Sequence, residues 1–368
     1  MKSKIKGRIT RLDPSRTLTL RKQFQTDIRK RFNKLHRSLI ELIIKEDALG
    51  LKQRKQLVFH AHNQSKSQLT THAAAGRWIF QSTEQKLKSF QQWLKQKIAL
   101  HLIQEQSDDG DNAWWNRYIV EGFKKGTARA FDDTRPQVRA AVQKDQQAVS
   151  DFYAGTKDEF LRSSFNWPTS REKVKLLASR TYTDLKGVTE GMAARISHNL
   201  VDGLTKGDSP RTIARQLSKD VDISRSRAET IARTEIIRTH AEGQLDAFEK
   251  LGVTEVGVMA EWSTAEDDRV CPLCQPLDGM VMKVQEARGL LPRHPNCRCA
   301  WTPANVGEDE KKQKRSKSAI ELAIEKSYQA ELLSTSKHTI AEQKKLSRWG
   351  GADKVISKKR PQSILKQR

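Results

Sequence analysis

All four cysteines of the 368-residue chain lie between positions 271 and 299, as CPLC (271–274) and CRC (297–299), and His294 stands beside the second pair in HPNCRC. This clustering restricts the fold more than any other feature, because thiols so placed tie two separate turns together. A CxxC turn aims two sulfurs at one point, and Pro272 stiffens it, while CRC sets two sulfurs on one face of an extended segment. Zinc takes four nitrogen or sulfur ligands in a tetrahedron at about 2.0–2.3 Å. Cys271, Cys274, Cys297 and Cys299 suffice for a closed four-thiolate site, and His294 is a fifth candidate that could replace one cysteine. The 22 residues between the pairs leave room for a hairpin and a loop. A redox CxxC would want a βαβ surround, which the sequence lacks. Unliganded buried thiols and late-forming disulfides are the other readings.

A closed site has no open position for water, so it points to structure, and no residue is assigned a catalytic or cofactor-binding role. A smaller ligand set would open a position. Glu266, Asp267 and Asp268, just before CPLC, could then act as a base or support the ligands. The plainer reading of EDDR is a polar turn.

Helical patterning dominates the rest. Leu20, Phe24, Ile28, Phe32, Leu35 and Leu39 recur every three or four residues within 15–60, and Leu87, Phe90, Leu94, Ile98 and Leu102 do so later. Both stripes read as core-facing, with a coiled-coil seam as the alternative. SDDGDN (107–112) interrupts the pattern, and Trp114, Trp115, Tyr118, Ile119, Phe123 and Phe131 resume it. Residues 132–168 are weakly patterned, and FNWP (165–168) reads as a joint. Helical faces follow at Val174–Leu185 and Met192–Leu204. Ser209 is placed to cap a helix with Pro210 in its first turn. Asp222 or Ser224 is placed to start another, which carries Glu229 four before Arg233 for an ion pair and stops at Gly252.

At Glu255 the period falls to 2. Val256, Val258, Ala260 and Trp262 alternate with polar or small residues, as in a half-buried strand, and MVMKV (280–284) and CRCAWT (297–302) are its partners. The expected fold class is α+β: a mostly helical N-terminal body, a small C-terminal zinc-stapled β-containing module and a basic disordered tail. The expected regions are a basic helical one over 1–106, a helical connection over 113–168, a domain over 169–303 (helices 170–251, Cys-rich β module 255–303) and a largely disordered tail over 304–368, with one possible helix at 318–334.

The net charge is +24, and the ends supply most of it. Residues 1–60 hold 17 lysines and arginines against 5 acids, and 304–368 hold 16 against 8. Such an excess points to a polyanionic partner, nucleic acid above all, met through phosphate contacts and without a sequence-reading motif. No apolar run is long enough to span a membrane and the N-terminus lacks a secretory core, so a cytoplasmic setting is expected.

The stretch RAETIARTEIIRTHAEG, then WSTAEDDRVCPLCQPLDGMV, then HPNCRC, in register from 224 to 303, resembles the phage head morphogenesis family, the Mu F-like minor head proteins. The helices at 170–222 are similar to the family's upstream portion. The resemblance implies a minor capsid protein of a tailed phage or prophage, acting in procapsid or head assembly near the portal and packaged DNA. It implies portal, coat or scaffolding proteins as partners, with DNA a further partner through the basic termini. The implied locations are the virion head and, during assembly, the host cytoplasm. Two alternatives stand beside it: a zinc-containing non-specific DNA-binding protein, and a metal-dependent hydrolase or nuclease.

Overall fold

The computed structural model describes residues 13–50, 83–103, 113–144, 153, 155–251, 259–265, 267 and 269–304. The tail, residues 51–60, Gly252, Val256, Val258, Glu266 and Asp268 lie outside these, as do the expectations placed on them.

Among the described residues, six α-helices precede the sheet. They are α1 (Leu18–Ile40), α2 (Thr83–Ile98), α3 (Asn116–Lys144), α4 (Lys157–Asn166), α5 (Pro168–Lys206) and α6 (Pro210–Lys250). Glu41–Lys45 and Ala99–Ile103 continue α1 and α2 as single π-helical turns. The caps are local. The Asp13 carboxylate accepts the Leu18 N–H, Thr156 and Glu159 form a reciprocal capping box, and the Ser209 hydroxyl accepts the Thr212 N–H with Pro210 behind it. FNWP is indeed a joint, with Trp167 between α4 and α5. Then come β1 (Ala260–Ser263), β2 (Val281–Met282), the short helix α7 (Val284–Ala287) and β3 (Ala300–Pro303), an antiparallel sheet in the order β2–β1–β3. Among the described residues no helix is long and apolar enough to cross a membrane.

The chain forms two compact units that interleave in sequence. One takes Gln23–Asn116 and Ala178–Ile231, the other Met1–Lys22, Arg117–Leu177 and Ala232–Arg368. In the first, the α1 stripe of Phe24, Ile28, Phe32, Leu35 and Leu39 is buried, with Phe90 and Leu94 of α2, Met192, Ile196 and Leu200 of α5, and Ile213 and Leu217 of α6. Two expectations fail here. No helix starts at Asp222 or Ser224, because α6 runs through them. Ser224 and the nearby Asp220 are used sideways, Arg195 donating to Ser224 Oγ and Asn199 to the Asp220 carboxylate, while Asp222 pairs with Arg225 on the same helix. Nor is Glu229 left to Arg233, since the Arg29 guanidinium donates to both its oxygens at 2.7 Å and Arg225 stands beside it. A planar fork from a neighbouring helix matches a carboxylate better than one exposed step along the same helix.

In the second unit, α3 and α6 meet through glycine. A Cβ on Gly126 would strike the His240 carbonyl, and one on Gly243 the Phe123 carbonyl. The Asp246 carboxylate, buried on α6, accepts from Ser170 and Lys173 at the start of α5 and pairs with Lys250. The sheet is not hung on a helical body. Trp262, Met282, Trp301 and all four cysteines share one buried cluster with Phe131 of α3, Phe160 of α4, and Leu245, Phe248 and Leu251 near them on α6. Strands of four, two and four residues cannot enclose a core alone, so the helices supply the other wall.

Candidate metal centre

Each motif of the C-terminal stretch has a mechanical part in placing the donors. On β1, Ala260 and Trp262 face inward as the alternation predicts. Trp262 pairs with Trp301 of β3, their rings edge-to-face at 5.3 Å and 83°. The PLDG turn closes β1 on β2. Gly279, at φ +70, donates to the Trp262 carbonyl, Trp262 donates to the Met280 carbonyl, and Asp278 accepts the Thr264 N–H. Only glycine takes that φ without strain.

CPLC is a tight turn in which the Cys271 carbonyl accepts the N–H groups of Cys274 at 3.1 Å and Gln275 at 3.0 Å. HPNC is its counterpart, with the His294 carbonyl accepting the Cys297 N–H at 3.1 Å. Asn296, at φ +62, completes that turn and donates its N–H to Thr234 Oγ1 of the IARTE stretch on α6. All four cysteines are free thiols and buried. The donors fall into two groups whose ligand atoms lie within 4.8 Å of one another: Cys271, Cys274 and His294, and Cys274, Cys297 and Cys299. His294 Nε2 is 2.9 Å from Cys271 Sγ and 3.2 Å from Cys274 Sγ, and the Cys274 and Cys297 sulfurs are 3.9 Å apart.

These residues fit a metal ion. A tetrahedron with bonds of about 2.3 Å has edges of about 3.8 Å, which the Cys274–Cys297 separation matches. Two of the thiols, Cys271 and Cys297, are held toward the thiolate, while their sulfur neighbours push Cys274 and Cys299 the other way. Hydrogen bonding with Cys274 holds the Cys271 thiol down to about 5 against the cost of burial, with His294 adding to the effect. Contacts with Cys274 and Cys299 hold Cys297 well below the ordinary thiol range. Burial disfavours the charged imidazole of His294, but the sulfurs of Cys297 and Cys271 outweigh it and raise its affinity for a proton. A divalent cation would replace protons that this crowd already holds unevenly. Cys271, Cys274, Cys297, Cys299 and His294 are thus positioned to hold a metal ion.

Asp267 belongs to a clasp. Arg298, between the two cysteines of CRC, donates to both its oxygens at 2.8 and 2.6 Å, and Arg269 adds three more hydrogen bonds at 2.9, 3.1 and 3.3 Å. The Arg298 bonds hold this carboxyl well below the usual carboxylate range despite burial, with Arg269 helping. A carboxylate so engaged supports the fold and is a poor proton acceptor. It is the polar turn, not the base, that the structure favours.

The sequence reading missed the helix residues that hold the module. Gln244 and Thr234 face it from α6, and the signal for Gln244 was slight: a polar residue inside the stripe of Ala241, Leu245 and Phe248.

Residues 194–302 match the sequence model of the family described as phage Mu protein F like protein, a span from the second half of α5 to β3. A relative in Enterococcus faecalis (strain ATCC 700802 / V583), NAD(+)--arginine ADP-ribosyltransferase EFV, is 28% identical over 138 residues, which cover 34% of this chain and 28% of that protein. The chain therefore spans less than a third of that relative's length. No solved structure matches the chain. The two knuckles, the α6 helix that carries IARTE and nearly all of the sheet fall in the matched span, and over that span the chain is similar to the phage Mu protein F like family.

Proposed function

We propose that the chain is a minor capsid protein of a tailed phage or prophage, acting in head assembly near the portal and the packaged DNA, with its C-terminal module held by a structural zinc ion. The family match over 194–302 carries this reading, because it covers the same helices and turns that gather the donors. Zinc is favoured by the donor set: thiols and one imidazole, no carboxylate among them, all on tight turns facing a shared core. With Cys271, Cys274, Cys297, Cys299 and His294 as the available ligands, the ion's work is to staple the module to α6 and α3.

The domain that assembles with head proteins is taken as 169–303, preceded by helical regions over 1–106 and 113–168 and followed by a basic tail over 304–368. Portal, coat or scaffolding proteins are the proposed partners. The net charge of +24, most of it in the two ends, suits a place beside DNA through phosphate contacts. The protein would reside in the virion head and, during assembly, in the host cytoplasm. ADP-ribosyl transfer is the named activity of the Enterococcus relative, and a match to 28% of that protein does not bring it here.

Quantitative mass spectrometry of purified, nuclease-treated particles tests the role. The chain is expected at a few copies per particle against abundant coat protein. Its absence from both mature heads and assembly intermediates would overturn the proposal. Release of nicotinamide from NAD by the purified chain would reopen the enzymatic reading.

A further inference from the structure

We infer that the ion is held by Cys271, Cys274, His294 and Cys297, and that Cys299 lies outside the ligand set. The inference rests on the zinc reading above and names its ligands.

The two turns are the first argument. CPLC and HPNC have the same form: a donor, a proline, a spacer and a cysteine. In each, the carbonyl of the first residue accepts the N–H of the fourth at 3.1 Å. Two turns closed by the same hydrogen bond thus present two donors each, although Asn296 takes a left-handed φ of +62 where Leu273 does not. Read this way, the second knuckle begins at His294, and the CRC pairing suggested by counting sulfurs is secondary.

The imidazole is the second. Its Nδ1 lies 2.8 Å from the Pro295 carbonyl, which can only accept, so Nδ1 carries the proton. Nε2 is left to face the sulfurs of Cys271 and Cys274 at 2.9 and 3.2 Å. A ligating histidine is ordinarily held so, its second nitrogen donated to a carbonyl or carboxylate. A four-thiolate site would leave this half-buried ring, whose Nε2 lies within 3.2 Å of two of the sulfurs, without a part in it. The two donor groups meet at Cys274, with Cys271 and His294 in one and Cys297 and Cys299 in the other.

Charge is the third argument. Three thiolates, a neutral imidazole and a divalent cation leave one net negative charge, and four thiolates leave two. The site shares its core with Trp262, Leu277, Met280 and Trp301, where each uncompensated charge is costly. The nearest guanidinium offered by the motif, Arg298, is already committed to Asp267.

X-ray absorption on the zinc-loaded full chain reads the ligand shell directly, and cobalt substitution reads it a second way through sulfur-to-metal charge transfer. Three sulfurs and one nitrogen are expected. Cys299→Ala should keep one zinc per chain and an unchanged cobalt spectrum. His294→Ala should lose at least about tenfold in zinc affinity against a competing chelator. A shell of four sulfurs in the unaltered chain would overturn the ligand assignment and leave structural zinc standing, whatever the variants do. A full chain that takes up neither zinc nor cobalt would overturn both.

Discussion

The side-chain amide of Gln244 on α6 is hydrogen-bonded to both main-chain groups of Trp301 on β3: Nε2 donates to the carbonyl at 2.6 Å, and the Trp301 N–H donates to Oε1 at 3.2 Å. Trp301 sits opposite Trp262, whose own main-chain groups bond toward the other side, to Met280 and Gly279. In an antiparallel pair such residues leave their outer N–H and C=O unpaired. One glutamine therefore completes the sheet edge as a further strand would. Gln244→Leu should destabilise the unit by about 1–3 kcal/mol, the usual cost of orphaned buried polar groups, read from denaturant unfolding. A change within experimental error would show that the edge is satisfied otherwise.

The contact of α3 and α6 at Gly126 and Gly243 leaves no room for a methyl group, since the obstructing atoms are main-chain carbonyls. Gly126→Ala and Gly243→Ala should each cost about 1–3 kcal/mol by overpacking. Gly187, exposed within α5 and with nothing near its Cβ position, is the control. Gly187→Ala should gain up to about 1 kcal/mol from helix propensity. Thermal unfolding of the three variants separates backbone collision from a general effect of the substitution.

Stripping the metal should loosen more than the sheet. The cysteines share a buried cluster with Leu245, Phe248 and Leu251, so chelation is expected to expose the last turns of α6 to hydrogen exchange together with residues 259–304. Protection lost only in the sheet, with the end of α6 unchanged, would mean that the two are separate cooperative units.

His240 is fully buried on α6, and burial first, then Arg129, Arg21, Lys125 and Arg16, hold its proton affinity well below the ordinary histidine value. The unfolded chain takes up a proton near pH 6.5 that the folded chain refuses. Stability should therefore be intact above that pH and fall below it, by up to about 1.4 kcal/mol for each pH unit until the folded imidazole also titrates. Comparison of the unaltered chain with His240→Gln from pH 7.5 to 5 isolates this from other histidines. Parallel stability curves would refute it.

Much of this is written in local periodicity. The α1 and α2 stripes, the Ser209–Pro210 start, the joint at Trp167 and the inward faces of Ala260 and Trp262 follow from spacing alone, because a helix or strand repeats its burial along its own axis. The partners of polar side chains do not follow from it. Ser224 can cap a helix or bridge two, as the nearby Asp220 does, and Glu229 can pair along its helix or with Arg29. The choice depends on residues some 20 to 200 positions away.

By itself, the sequence determined that every thiol and His294 would gather in one place, since four cysteines within 29 residues have few other arrangements. Motifs in register from 224 to 303 also carried a likeness to the phage Mu F-like family, whose sequence model matches residues 194–302. Only the tertiary structure decided that Asp267 is tied to Arg298, that the module is fused to α6 through Gln244 and Thr234, and that HPNC closes with the same first-to-fourth hydrogen bond as CPLC. The reason is physical: spacing sets which face a residue presents, but a buried polar group takes the partner that folding brings to it.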